Sequence, residues 1–133
     1  MSSYYRIIKR IHNEWERNFV KFVESLKKKR ICIVLFGSRA RGDDNLLSDF
    51  DLLIVMENKI KIETDFPADI FCYTTREVLD EIEKGNTIVL DALTQGKLIP
   101  DNMNIFKLLQ EKARNKIKRD KLMRLKMGWF RVH

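Results

Sequence analysis

Histidine and cysteine are scarce in this 133-residue sequence, with two of each. The only histidines are His12 and His133, so the sequence offers almost no candidate base for a Ser-His-Asp or Cys-His mechanism. The cysteines, Cys32 and Cys72, are forty residues apart, match no zinc-binding spacing and lie inside apolar runs. We therefore expect both to be free thiols that pack as small apolar groups.

Glycine and proline are also few, at 5 and 2 residues, while 44 % of the residues are hydrophobic and 34 % are charged. This composition excludes a collagenous, disordered or low-complexity protein. The longest apolar run, Ile31–Phe36, has six residues, far short of the roughly 20 that span a bilayer. The first residues lack the apolar core of a signal peptide, so we expect one soluble, cytoplasmic domain without membrane association.

The net charge of +7 is unevenly distributed along the chain. Residues 1–30 carry nine basic and three acidic side chains, residues 31–106 carry seven and fourteen, and residues 107–133 carry ten and two. An acidic middle between basic ends indicates a carboxylate-bearing site in the middle and ends that face anions. Lysine-rich helices that simply expose a solvated face are the alternative for the two ends.

Hydrophobic periodicity predicts helices and strands in alternation, and therefore one α/β (α+β) domain whose small sheet is flanked by helices. Thr74 and Glu77 form a capping-box pattern at the start of one helix, which ends at Gly85. The predicted helices are 4–28, 75–84, 87–95 and 102–127, and the predicted strands are 31–36, 50–56, 69–73 and an edge strand at 97–100, with 59–63 as a short, half-exposed strand or hairpin arm.

Two pieces of sequence stand out from ordinary packing. Gly37-Ser38 follows the first buried strand, and Asp49-Phe50-Asp51-Leu52 begins the second. Alternation along a strand places Asp49 and Asp51 on one face, about 7 Å apart at Cα. Two carboxylates this close repel each other, and a divalent ion that prefers oxygen ligands, such as Mg²⁺, removes the repulsion. Two such ions about 4 Å apart would bracket a phosphoryl displacement.

The turn after the first strand suits a phosphate. Gly37 has no Cβ, so a phosphate can approach the backbone N–H groups there, and Ser38 adds a hydroxyl donor. Arg39 and Arg41 supply positive charge for a polyphosphate, and Gly42 keeps the loop compact. Gly-Ser alone is a common turn and a single aspartate at a strand entrance is usually a cap, so the combination carries the argument.

The segments Leu35–Gly42, read Leu-Phe-Gly-Ser-Arg-Ala-Arg-Gly, and Ser48–Val55, read Ser-Asp-Phe-Asp-Leu-Leu-Ile-Val, resemble the minimal nucleotidyltransferases of the DNA polymerase beta superfamily. The resemblance covers roughly residues 31–100 and implies that superfamily's nucleotidyltransferase fold. We expect a nucleotidyltransferase domain with its N-terminal helix at 1–106 and a basic, helical C-terminal extension of the same domain at 107–133.

The resemblance implies a role for each matching residue. Gly37 and Ser38 would hold the β- and γ-phosphates of ATP or another NTP, with Arg39 and Arg41 as further nucleotide-binding residues. Asp49 and Asp51 would bind two Mg²⁺ ions. Asp69 best fits the third carboxylate, as metal ligand and as base toward the attacking hydroxyl. Its competitors are Asp65, which precedes the unfavourable pair Phe66-Pro67, and Glu63; Asp43 and Asp44 are interpreted as solvated loop acids.

Proteins of this kind look like antitoxins that accompany an all-helical partner of the HEPN type. The resemblance therefore implies transfer of AMP from ATP to a hydroxyl of a partner protein, within a homo- or hetero-oligomer. A non-catalytic antitoxin that neutralises its partner by binding it is the alternative. We do not expect nucleic-acid binding, because the basic tail offers only Trp129 and Phe130 for base stacking.

Overall fold

A four-stranded mixed sheet organises the fold in the computed structural model, which describes residues 3–42, 46–125 and 128–131. The elements, in chain order, are α1 (Ser3–Leu26), β1 (Ile31–Phe36), α2 (Gly37–Arg41), β2 (Phe50–Met56), β3 (Ala68–Thr74), α3 (Thr75–Glu83), α4 (Thr87–Gln95), β4 (Lys97–Asp101), α5 (Phe106–Arg119), β5 (Leu122–Leu125) and β6 (Gly128–Arg131). The predicted class, an α/β (α+β) domain with helices flanking a small mixed sheet, is confirmed.

The strand order in the sheet is β3-β2-β1-β4. Strand β1 pairs antiparallel with both β2 and β4, whereas β2 and β3 run parallel. The two central strands are almost entirely buried, as expected for continuous runs of β-branched, aliphatic and aromatic residues.

Each face of the sheet has its own apolar core, because side chains alternate along the strands. On one face, Val34 and Leu53 pack with residues of α3, α4 and α5, among which Leu90 and Leu109 are fully buried. On the other face, Ile33 and Ile54 pack with the second half of α1 and with Phe66. Both faces of the sheet are therefore covered at its two central strands.

Side-chain caps fix where the helices begin. The predicted capping box is present: the Thr74 side chain accepts from the Glu77 backbone N–H, and the Glu77 side chain accepts from the Thr74 backbone N–H. The Asn86 side chain caps α4 by accepting from the backbone N–H groups of Ile88 and Val89. The Asp101 carboxylate accepts from the N–H groups of Ile105 and Phe106 and so starts α5 later than predicted.

Residues 59–63 do not form the predicted strand or hairpin arm. They belong to a connection between β2 and β3 whose Ile62 packs on the core with Phe66. The alternation of apolar and charged residues wrongly predicted a strand here, because Ile62 is partly buried by packing on the core and not by pairing of its segment with a neighbouring strand.

The last predicted helix, 102–127, is wrong in its second half. Helix α5 ends at Arg119. Two residues later, Lys121 has a φ of 51°, a left-handed conformation that is incompatible with a continuing right-handed helix. Strands β5 and β6 follow as an antiparallel pair, and Leu122 and Trp129 pack against the core. The basic C-terminal extension, predicted to be helical, therefore forms a hairpin after residue 120 that packs on the domain; Lys126 and Met127 lie outside the described residues.

The predicted edge strand at 97–100 is β4, and it extends to Asp101 through Pro100. A proline is compatible with this position because β4 is the last strand on its side of the sheet. None of the helices in the described part of the chain is long and apolar enough to cross a membrane.

Candidate active site

The end of β1 meets the beginnings of β2 and β3, and the predicted site residues gather there. In the strand registers, Phe36 lies opposite Asp51, and Asp51 lies opposite Asp69. Gly37 follows Phe36 directly and begins α2. The sheet thereby places a glycine turn and two carboxylates side by side.

Gly37 cannot be replaced by another residue without disturbing Asp51. Its φ is +74°, in the left-handed region, and a Cβ built on it would overlap the Asp51 carboxylate oxygen Oδ2. The carboxylate therefore lies directly against the backbone of the turn. The glycine predicted to admit a phosphate also makes room for the central carboxylate.

The three predicted carboxylates interact electrostatically. Asp51 is half-buried, and its pKa is raised first by burial and then by the charges of Asp69 and Asp49, with a hydrogen bond to Asp69 adding to the shift. Arg41 acts in the opposite direction on the pKa of Asp51. Asp49 and Asp69 are exposed, so the cluster opens to solvent on both sides of Asp51.

The competing acids lie elsewhere. Asp65 is exposed in the connection before β3, and its backbone carbonyl accepts a hydrogen bond from the Asn18 side chain. Glu63 is exposed and pairs with Lys61. Asp69, not either of these, lies opposite Asp51. Asp43 and Asp44 lie outside the described residues.

The Arg39 side chain is held by a set of contacts within the protein. Its Nη1 donates to Glu16 Oε1 at 2.6 Å, its Nε donates to the Ser48 carbonyl at 2.7 Å, and its guanidinium lies 3.9 Å from the centre of the Phe50 ring. Only 4 % of the side chain is exposed. Arg39 thus ties α2 to the residue that precedes Asp49.

Helix α1 holds the same loop, a role that sequence reasoning missed. Besides the Glu16–Arg39 pair, His12 Nδ1 lies 3.0 Å from the Leu46 carbonyl oxygen. His12 and Glu16 are four residues apart and share a helix face, which the sequence shows. That this face meets the loop before Asp49 depends on the tertiary arrangement, and no local pattern reveals it.

Ser38 and Arg41 lie on α2 beside this cluster. Ser38 is half-buried and its backbone carbonyl accepts from the Gly42 N–H, which closes the short helix. Arg41 is exposed and close enough to Asp51 to affect its pKa. Arg41, and not Arg39, is the arginine that lowers the pKa of Asp51.

The donor set fits a hard divalent ion. All three candidate ligands are carboxylates, and Mg²⁺ in proteins is commonly held by one or two carboxylates together with substrate phosphates. Across residues 3–42, 46–125 and 128–131, no three acidic, histidine or cysteine side chains are arranged to hold a metal ion by themselves. The pKa of Asp51 is raised first by burial and then by the neighbouring carboxylates, and a bound cation would offset both effects.

Comparison with known proteins identifies the family. The model of the nucleotidyltransferase domain family matches residues 16–122, which is most of the chain. The chain belongs to the nucleotidyltransferase domain family. The matched range includes the glycine turn, all three carboxylates and α5.

A solved structure shares the fold. A chain in the crystal structure of a toxin–antitoxin with AMP-PNP superposes with a TM-score of 0.53 at 18 % sequence identity. The similarity covers 78 % of this nucleotidyltransferase-family chain and 87 % of the other chain. No curated protein gives a significant match.

Proposed function

We propose that the protein is an Mg²⁺-dependent nucleotidyltransferase that moves AMP from ATP to a hydroxyl of a partner protein. The observation that carries the proposal is the arrangement of Asp51 against Gly37 and opposite Asp69. Membership of the nucleotidyltransferase domain family supports nucleotidyl transfer as the reaction class.

In this proposal Asp49, Asp51 and Asp69 hold the metal ions. Magnesium supplies charge neutralisation and Lewis acidity at the phosphates. The carboxylates are exposed on either side of Asp51, which leaves room for triphosphate oxygens to complete the coordination. Nucleotide and metal therefore bind together, each supplying ligands or charge that the other needs.

The glycine turn orients the triphosphate. The backbone beyond Gly37 and the Ser38 hydroxyl bind phosphate oxygens, and Arg41 adds positive charge from the exposed side of α2. Arg39 remains a nucleotide-binding candidate from the sequence, but its contacts favour a positioning role: it holds the Ser48 carbonyl and so fixes the approach to Asp49.

Asp69 acts as base toward the acceptor. The acceptor oxygen attacks the α-phosphorus, its proton passes to the Asp69 carboxylate, and the bond between the α-phosphorus and the bridging oxygen breaks. Pyrophosphate leaves with the electron pair of that bond. The exposed position of Asp69 allows an acceptor hydroxyl to reach it from solvent.

The partner in this proposal is a HEPN-type toxin in the cytoplasm, with this chain as its antitoxin in a homo- or hetero-oligomer. Support comes from the fold shared with a chain of a toxin–antitoxin crystal structure that contains AMP-PNP. A non-catalytic antitoxin that acts by complex formation alone is the second candidate, favoured by the same comparison. The retained carboxylates favour the catalytic one.

The test is incubation with ATP labelled at the α-phosphate, Mg²⁺ and the protein encoded by the adjacent gene. The proposal predicts label on that protein, lost in EDTA and in the Asp51→Asn variant. A stable complex of the two proteins without any label in Mg²⁺ would support the non-catalytic alternative and refute transfer.

A further inference from the structure

One edge of the sheet has no backbone partner. Strand β3 is the outermost strand on its side, and β2 alone pairs with it. Within the described part of the chain, no backbone–backbone hydrogen bond outside the ladder with β2 reaches residues 68–73. These groups are available for pairing with another strand.

The hydrogen-bond phase of the ladder identifies the free groups. The Phe50 N–H donates to the Pro67 carbonyl at 2.9 Å, and Phe50 lies opposite Ala68. In a parallel pair, successive residues direct their N–H and C=O groups alternately to one side and the other. Asp69, Phe71 and Tyr73 therefore bond to β2, whereas Ile70 and Cys72 direct theirs outward. The Thr74 N–H, which is next in the outward set, donates to the Glu77 carboxylate, as this phase requires.

The opposite edge of the sheet is protected, and β3 is not. Strand β4 contains Pro100, which has no N–H, carries the exposed Lys97, and pairs with β1 through an irregular register. All three features discourage pairing with a further strand. Strand β3 contains neither proline nor lysine, keeps a regular register, and leaves Ile70, Phe71, Cys72 and Tyr73 half-buried.

Asp69 connects this edge to the active site. Neighbouring strands lie about 4.8 Å apart, and side chains of directly opposite residues stand about 5 Å apart at Cβ on the same face. A residue paired with Asp69 would therefore present its side chain on the face that carries Asp51. A hydroxyl on that residue would stand beside the carboxylate that serves as base.

We propose that the acceptor is an extended protein segment that adds to the outer edge of β3 and places a serine, threonine or tyrosine hydroxyl beside Asp69. The inference rests on the proposed transfer to a protein hydroxyl. The oxygen forms a bond to the α-phosphorus, its proton goes to Asp69, and pyrophosphate departs with the electrons of the broken bond. Residues 57–80, which include this edge, carry six acidic and three basic side chains. We therefore expect the acceptor segment to be neutral or basic, because its charge then complements that of the edge.

The probe is a synthetic peptide of alternating valine and lysine with one central tyrosine, and its control has proline on each side of the tyrosine. Cys72→Pro removes one outward N–H and no ladder bond to β2. Cys72→Ala is the matched control, because both variants lose the Cys72 Sγ–Met56 Sδ contact of 3.2 Å and only the alanine keeps the N–H.

Transfer of AMP to the peptide is read by mass spectrometry. We expect labelling of the tyrosine peptide but not of its proline control, and about tenfold slower labelling by Cys72→Pro than by Cys72→Ala. We also expect the peptide to slow hydrogen exchange of the Ile70 and Cys72 amides. Mg²⁺-dependent ATP binding and the melting temperature, measured on each variant, report the nucleotide site and the fold separately.

Each remaining outcome contradicts one proposal and not the other. Equal labelling by the two Cys72 variants, labelling of the proline peptide, or labelling of an oligonucleotide in place of either peptide overturns the β3-edge proposal. Absence of peptide labelling and amide protection, with ATP binding still dependent on Mg²⁺ and Asp51, also overturns it and leaves the nucleotide site standing. ATP binding by the wild-type protein that does not depend on Mg²⁺ would instead refute the proposed function.

Discussion

Single residues at the site combine chemical and structural roles. Arg39 shows this most clearly, since its charge is almost fully buried but is matched by Glu16, by the Ser48 carbonyl and by the Phe50 ring. A buried charge is tolerated only with such partners. Sequence reasoning could assign Arg39 a positive charge near a phosphate loop, but the partners that use this charge are set by the tertiary fold.

The choice of the third carboxylate is testable by substitution. We expect Asp69→Asn to lower the rate of nucleotidyl transfer by about 10²- to 10³-fold, because it removes the base toward the acceptor hydroxyl and a proposed metal ligand. Asp65→Asn, the matched change four residues earlier, leaves the rate near that of the wild type. Transfer rates of both variants, with circular dichroism to check the fold, decide between them; an inactive Asp65→Asn with an active Asp69→Asn would reverse the assignment.

Gly37 should tolerate no side chain. Gly37→Ala places a residue at φ +74°, which costs roughly 1–2 kcal/mol, and its Cβ displaces the Asp51 carboxylate. Gly42→Ala is the control, because Gly42 has φ +75° and a Cβ there meets nothing within 4 Å. We expect both to lower the free energy of unfolding, measured by urea titration, but only Gly37→Ala to abolish Mg²⁺-dependent ATP binding. Equal binding by the two variants would contradict the close packing of Gly37 on Asp51.

At the scale of elements, local patterns predicted most of the fold. The structure follows three local signals: the capping box of Thr74 and Glu77, the buried runs of β1 and β2, and Gly37 between them. The C-terminal hairpin could not be predicted in this way. Leu122 and Trp129 read equally well as helix positions, and only their packing on a core formed by distant residues decides for strands.

The start of α3 gives a pH-dependent contribution to stability. Hydrogen bonds from the Thr74 backbone and from Lys59 lower the pKa of Glu77 below its ordinary value of 4.5. A lowered pKa contributes stability above the unfolded value, and that contribution is lost as the pH falls through the folded value. As the pH is lowered from 6 to about 3, the free energy of unfolding should therefore fall more steeply for the wild type than for Glu77→Gln. Parallel pH profiles would contradict the role of the ionised capping box.

The hairpin is docked by an ion pair between β5 and α4. Arg124 Nε donates to Asp91 Oδ1 at 2.6 Å, and both side chains are largely shielded from solvent. We expect Asp91→Asn to lower the free energy of unfolding by about 1–2 kcal/mol, because a charge-assisted hydrogen bond is weakened. The control, Lys61→Ala, breaks the exposed ion pair with Glu63 and should change the free energy of unfolding little. Denaturant titrations compare the two, and equal effects would mean that the hairpin is not held by this pair.

For the whole molecule, the three-part charge pattern follows the architecture only in part. The acidic middle does contain the carboxylate site, and α1, from the basic N-terminal segment, supplies Glu16 and His12 to the loop before Asp49. The basic C-terminal segment begins with α5, whose Leu109 and Ala113 are fully buried. Net charge along a sequence therefore indicated where the site lies, but it did not separate core elements from peripheral ones.

In the proposed function, the three carboxylates and the glycine turn bind a metal–nucleotide complex as one unit. The measurement that tests this joint binding is the melting temperature of the protein with ATP and Mg²⁺ together, with each alone, and with ATP in EDTA. A ligand at a concentration a hundredfold above its Kd stabilises a protein by about 2.7 kcal/mol. We therefore predict that ATP and Mg²⁺ together clearly raise the melting temperature and that either alone raises it little. In Asp51→Asn we predict no rise. Equal stabilisation by ATP in Mg²⁺ and in EDTA, or an unchanged rise in Asp51→Asn, would contradict the account.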